Sequence, residues 1–291
     1  MAFEYIVLAA FGAMLFWGVG DFLIQRSVRK IGSIECLTWI GIIATLLLLP
    51  LVVHDFHLLS DTRNIAVLGI LGIVTFFAAI ADFEALKQGK LSVIEIVMTI
   101  ELPVTVMLAL VFLQEHISLM QGIAIFSVFI GITLIAVERF SKIGSLLRSL
   151  EKGVAFALIG GLGMGVMNVL TGWSAKSISP VLAIWGPHVV FMFLCFLVII
   201  GRKEGIIKFA NNWKKYHWLI LLTGIFDVMA WLMYAFALEQ KEIALTTAIS
   251  ESYPAVALLL GLWLNRERIM KHQYIGVGIA LAASIMLGFV L

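Results

Sequence analysis

The sequence predicts an all-α integral membrane protein, with ten transmembrane helices arranged as two inverted five-helix repeats. Three observations predict it. Of 291 residues, 62% are hydrophobic and 13% charged, and the mean hydropathy is +1.08; a water-soluble chain of this length cannot hide that much apolar surface. Apolar runs of about 20 residues, each long enough to cross a bilayer as a helix, recur between short polar breaks. The Lys and Arg residues fall on alternate sides of those runs, as the positive-inside rule requires.

The first span is read at 4–25. It carries Glu4 and Asp21 and shows neither a basic leader nor a small-residue cleavage site, so it reads as a span and not a signal peptide. Spans 2 and 3 follow at 33–53 and 64–86. Span 4 (91–113) holds Glu95, Glu101 and Pro103, and span 5 covers 118–137. The break ERFSKIGSLLRSLEKG (138–153) separates the halves, giving a first repeat over 1–138, a cytoplasmic linker over 139–152 and a second repeat over 153–291.

In the second half, span 6 (153–175) is crowded by Gly160, Gly161, Gly163 and Gly165. Span 7 (180–200) contains Trp185, Pro187 and His188. Span 8 (217–238) contains DVMAWLMY, and span 9 (243–264) contains Glu251, Tyr253 and Pro254. In span 10 (272–290), Gly276, Ala280, Ser284 and Gly288 recur every four residues. Such small residues let helices approach closely, within the chain or across a homodimer. Trp213, Trp218, Trp263 and Tyr274 fall near span ends and read as interfacial belt residues.

The charge count fixes the expected orientation. Seventeen Lys and Arg residues lie on one side of the spans, and three (Arg63, Lys176 and Lys241) on the other. This puts both termini on the extracytoplasmic side, in the plasma (inner) membrane of a prokaryote. An odd number of spans per half turns the second copy upside down. Landmarks recur in register: ALKQ at 85–88 precedes Pro103, Glu115 and Gln121, as ALEQ at 237–240 precedes Pro254, Glu267 and Gln273. Trp39 of span 2 corresponds to Trp185 of span 7. Inverted repeats of this kind are characteristic of transporters with a substrate site near the midplane.

Seven acids fall inside spans: Asp21, Asp82, Glu84, Glu95, Glu101, Asp227 and Glu251. A carboxylate at the bilayer centre costs roughly 2.5–3.5 kcal/mol, so such residues face a wet cavity or a partner. No Lys or Arg lies comparably deep, and His188 is the other ionisable group near a midplane. Asp21, Asp82, Glu84 and Glu95 read as lining a cytoplasm-facing vestibule, with Glu84 on a solvated face. Glu101 and Glu251 stand beside Pro103 and Pro254, where a helix loosens. A hydrogen bond to a nearby Ser or Thr would equally hold either acid.

The spacing i, i+4, i+7 places Asp227, Trp231 and Tyr234 on one helical face, and Trp17 lies one turn before Asp21. Each interior aromatic can serve packing alone. As a set with the acids, they suit an organic cation: a ring face attracts a desolvated ammonium by about 0.5–2 kcal/mol, and a carboxylate acts over longer range. The expected substrate-binding residues are Trp17, Asp21, Glu101, Trp185, Asp227, Trp231, Tyr234, Glu251 and Tyr253. Glu101, Asp227 and Glu251 are candidates for proton coupling, since a carboxyl in a dry cavity can exchange a proton with one side at a time. Pro103, Pro187 and Pro254 are candidate hinges. Cys36 and Cys195 lie in apolar runs with no Cys/His cluster around them, and no phosphate loop or nucleophile–base pair appears. Neither a cofactor, a metal, an enzymatic activity nor a nucleic-acid partner is expected.

Phe16, Trp17, Gly18 and Phe22 in span 1 resemble the F-W-G-x-x-x-F pattern of the EamA-type ten-helix branch of the drug/metabolite transporter superfamily. The central prolines of spans 4 and 9 also resemble it, each followed by L-x-E or a near variant (Leu113 to Glu115, Leu264 to Glu267). The resemblance covers both copies and departs at Asp21 and at Arg266. It implies a cavity lined by spans 1–4 and 6–9, with spans 5 and 10 outside it, and a small-molecule substrate such as an amine, a quaternary ammonium compound or an amino acid. Residues and resemblance together point to a secondary transporter of a small organic cation or amine, working by alternating access with proton coupling. The second reading is an exporter of neutral or aromatic amino acids. A membrane-embedded scaffold that transports nothing would not keep so many destabilising acids.

Overall fold

The computed structural model describes residues 2–88, 94, 97–98, 100–136, 153–240, 242–253, 256 and 270–290. Glu95, Pro254, Trp263, Arg266, Glu267 and the linker 139–152 lie outside them. The described residues form helices: α1 (Ala2–Ile31), α2 (Ser33–Val52), α3 (Thr62–Gln88), α4 (Glu101–Phe112), α5 (Leu119–Ala136), α6 (Val154–Ser177), α7 (Pro180–Ile200), α8 (Gly205–Gln240), α9 (Ile243–Ser250) and α10 (Lys271–Val290). Helices are what lipid permits, because each backbone N–H and C=O must find its partner inside the segment. Six of them, in α1, α2, α3, α6, α7 and α8, are long and apolar enough to cross a membrane, and the apolar stretches of α4 and α5 are shorter. Spans 4 and 9 are described in part, so the expected count of ten is not fixed here.

Local chemistry sets the helix ends. Gly32 adopts φ 99°, a left-handed conformation that glycine takes without a Cβ clash, and this joins α1 to α2 with a single residue between them. Ser179 caps α7, its Oγ accepting from the N–H groups of Val181 (3.2 Å) and Leu182 (3.3 Å), with Pro180 in the first turn. The same hydroxyl donates to Asp55. α8 is kinked at Tyr216, where φ is −130° and ψ 21°.

The packing is symmetric under exchange of the two halves. α1 runs along α8 and α3 along α6; α2 pairs with α7, α4 with α9, and α5 with α10. Exchanging the first five helices for the last five turns the α1–α8 pair into the α6–α3 pair and leaves the other three pairs unchanged. Close approaches hold these pairs. A Cβ on Gly131 would lie 2.6 Å from the backbone nitrogen of Ala280, and one on Gly163 2.8 Å from the Ala78 side chain. The small-residue stripe of α10 thus faces α5 of its own chain: Gly276, Ala280 and Ser284 are buried, and Ser284 Oγ meets Ser252 Oγ at 2.5 Å.

The radial pattern is that of a membrane protein. Phe112, Leu119 and Phe289 are more than 70% exposed on the outside, whereas Glu101, Asn168, His188, Asp227 and Glu251 are buried. At the basic end, Glu35 of α2 binds Arg202 (3.3 Å) and Lys208 (3.2 Å). At the opposite end, α4 stops at Leu113 and Gln114 takes φ 54°. The Glu115 N–H turns back to the Ala109 carbonyl at 3.3 Å, a left-handed helix cap. That turn aims the Glu115 carboxylate at the start of α9, where it accepts from Ile243 N–H (2.7 Å) and Ala244 N–H (3.1 Å).

Candidate functional site

A cavity opens between the halves, lined from α1, α2, α3, α6, α7 and α8 and by residues around the breaks in spans 4 and 9. Its non-atom space is about 970 Å³, open solvent included. Five carboxyl side chains line it, Asp21, Asp82, Glu101, Asp227 and Glu251, and among the described residues no Lys or Arg does. Trp17, Trp231 and Tyr253 form an aromatic wall. Trp17 meets Trp231 edge-on at 4.8 Å and Tyr253 at 6.3 Å, distances at which ring pairs attract.

Glu101 and Glu251 owe their positions to interrupted helices. Glu101 is the first residue of α4, following a tight turn in which Ile100 N–H bonds the Val97 carbonyl at 3.3 Å. Glu251 follows the last residue of α9; its N–H bonds the Thr247 carbonyl at 2.8 Å, and Ser252 N–H bonds the Ile249 carbonyl at 3.2 Å. The positive end of one helix and the negative end of another therefore meet at the cavity. Glu101 Oε1 accepts from Asn168 Nδ2 at 2.8 Å, and the same amide reaches Thr105 Oγ1 at 3.3 Å. Glu251, Asp82 and Asp21 line the same cavity as Glu101.

Also lining the cavity, His188 Nε2 lies 3.8 Å from Asp227 Oδ2. Pro187 lines the cavity beside it. Having no N–H, Pro187 cannot occupy the carbonyl one turn earlier, that of Ala183, another cavity residue.

Seven of the nine residues expected at a substrate site are thus brought together: Trp17, Asp21, Glu101, Asp227, Trp231, Glu251 and Tyr253. Two stand elsewhere. Tyr234 is fully buried behind the wall, its hydroxyl 2.5 Å from Thr247 Oγ1 and its ring 5.2 Å from Trp17. Trp185 points away, donating from Nε1 to the Thr45 carbonyl (3.2 Å) and packing on Phe56. Of the candidate hinges, Pro187 faces the cavity and Pro103 is exposed on the outer surface. Asp21 and Asp82, read as vestibule acids, share the wall with Glu101, whereas Glu84 turns out to Lys87 (2.8 Å) and Gln88 (2.9 Å). The sequence reading missed Thr75, Met98, Met164 and Met167 as lining residues; a Thr or Met in an apolar span carries no signal that separates cavity from core.

The profile of the EamA-like transporter family matches residues 4–137 and again residues 151–289. Among the chains of solved structures that match, one titled "Crystal structure of protein" aligns over 98% of this chain and 98% of its own at TM-score 0.73 and 13% identity, a likeness of fold. No curated protein matches.

Proposed function

Since the chain belongs to the EamA-like transporter family and is a multi-pass membrane transporter, we propose that it moves a small organic cation or amine by alternating access, coupled to protons. The observation that carries this reading is the cavity's sign: five carboxyls and an aromatic wall, with no Lys or Arg among the described lining. An anionic substrate would find no Lys or Arg among the described lining, with His188 its one basic side chain. An ammonium would find a carboxylate, ring faces, and the negative end of α9. In this reading Trp17, Trp231 and Tyr253 hold the apolar part of the substrate, and Asp21, Glu101, Asp227 and Glu251 attract its charge. Tyr234 supports Trp17 from behind. Glu101, Asp227 and Glu251 are the candidates for the group at which a proton and a cation compete, and such competition makes the cycle an antiport. The charge bias along the chain supports a prokaryotic plasma membrane with both termini extracytoplasmic.

The three-ring wall also favours a second reading, export of neutral or aromatic amino acids. There one acid would hold the amino group, and His188, Asn168 or the backbone near a helix break would hold the carboxylate. Transport currents from proteoliposomes on a solid support decide between them. The panel is quaternary amines, polyamines, guanidines and neutral amino acids, at two pH values, for the native protein and Glu101→Gln. Currents with amines that weaken in the variant are expected. Currents with neutral amino acids alone would replace the first reading by the second, and amine currents indifferent to pH and to Glu101 would remove the coupling.

A further inference from the structure

His188 is the one ring nitrogen base among carboxyls on the described cavity wall, and the organic-cation reading gives it no task. Its Nδ1 lies 2.7 Å from the carbonyl oxygen of Ile184, one turn earlier on α7. A carbonyl only accepts, so Nδ1 carries a hydrogen and the backbone sets the tautomer. Nε2 is then the nitrogen that gains and loses a proton, and it faces Asp227 Oδ2 at 3.8 Å. The Phe191 ring packs on the imidazole at 4.7 Å and holds its plane. Both members of the pair are over nine-tenths buried.

In a dry site, a nitrogen lone pair facing a carboxylate is repulsive, and one proton between them removes the repulsion. A second proton would leave a net positive pair. The favoured count is therefore one. The acids around the pair act in the same sense: Asp82 of α3, Asp21 of α1, Glu101 of α4 and Glu251 after α9 line the same cavity. Among so many acids, the pair can give up its proton only when another positive charge takes its place.

We infer that His188 and Asp227 form the proton-exchange site of the transport cycle, releasing one proton for each substrate cation that docks on Asp227. The substrate ammonium pairs with Asp227, and the proton leaves from Nε2 to whichever aqueous side is open. One positive charge enters and one leaves, and no covalent bond changes. Glu101, already held by Asn168, attracts the cation without taking part in the exchange. This assignment rests on the organic-cation reading.

Two measurements on the full chain in nanodiscs test it. The first needs no substrate: ring ¹⁵N resonances of labelled histidine, with His188 identified through His188→Gln. The expected pattern is an Nδ1–H tautomer whose Nε2 titration moves in Asp227→Asn. A titration that Asp227→Asn leaves unmoved overturns the pair, whatever the substrate. The second is proton release into weak buffer on adding choline or tetrapropylammonium, with binding read from tryptophan fluorescence. About one proton per bound cation is expected from the native protein. His188→Gln is expected to bind the cation with most of the release lost, and Asp227→Asn to lose both. Undiminished release in His188→Gln overturns the exchange. Absence of cation binding by the native protein overturns the organic-cation reading and the exchange with it, while the first measurement still reports separately on the pair. His188→Asn serves as the second variant if His188→Gln does not fold.

Discussion

Replacing Glu115 by Ala cuts the contact that ties the end of α4 to the start of α9, and the geometry says which part of that contact matters. The carboxylate accepts from two backbone N–H groups, at 2.7 and 3.1 Å, and has Lys176 Nζ at 3.4 Å. Lys176 is 35% exposed and Glu115 7%. A half-wet ion pair of this kind contributes about 0.2–1 kcal/mol. Hydrogen bonds to a charged acceptor contribute about 1.5–3 kcal/mol each, and loss of an N-terminal cap costs about 0.5–2 kcal/mol. The terms overlap, because water entering the gap would satisfy part of what is lost. A net loss of about 2–3 kcal/mol follows, or roughly 4–12 °C in Tm at about 2–4 °C per kcal/mol. Tryptophan-fluorescence melting in detergent reads it. Lys176→Met is expected to lower Tm by less than about 4 °C, given the weak ion pair, with Glu115→Gln between the two. If Lys176→Met matches Glu115→Ala, or Glu115→Ala melts with the native protein, the capping argument fails.

Further outcomes follow from the same structure. Gln114→Gly should raise stability by about 0.5–1 kcal/mol in the same melts, because Gln114 holds a left-handed φ of 54° that costs an L side chain energy. Gly131→Leu should abolish a monodisperse peak in size-exclusion chromatography, since its Cβ would sit 2.6 Å from the backbone of α10; Gly69→Ala, with nothing within 4 Å of its Cβ, should leave the peak intact. Trp17→Leu should weaken cation binding in a titration by roughly 2–10-fold, the loss of about one ring contact. Cysteines at Lys203 and Arg63 should label from opposite sides of right-side-out vesicles, Arg63→Cys from outside; Cys36 and Cys195 are buried and give little background.

Much of this fold was legible because lipid leaves the chain few choices. Length of apolar run, basic flanks and a repeated proline–acid landmark are all one-dimensional signals, and they led to the helices. The acids were legible for a related reason: a carboxyl in a greasy run must face something wet. The aromatics were not. Asp227, Trp231 and Tyr234 share a helical face by spacing, yet α9 covers Tyr234 and presents Thr247 to its hydroxyl. Trp185 lies in the first turns of span 7, and its Nε1 donates to the Thr45 carbonyl of the neighbouring helix and not into the cavity. Whether a large ring lines a cavity or the core behind it depends on which helix packs next, and spacing on one helix carries no record of that. Asn168 shows the converse. A lone amide in a glycine-rich span gave no sign of its partner, and the structure supplies Glu101, 67 residues away.

The pairing of α1 with α8 has a consequence for how the chain is made. Ser27 and Thr223 face each other at 2.8 Å across 196 residues of sequence. At about 5–20 residues per second, α1 waits some 10–40 seconds in the membrane before its partner is synthesised. During that interval Trp17, Asp21 and Ser27 have neither the cavity nor the neighbouring helix for which they are placed. The first helix is therefore the one most dependent on company during biogenesis, from the insertion machinery or from α3, until translation delivers the surface it was shaped to meet.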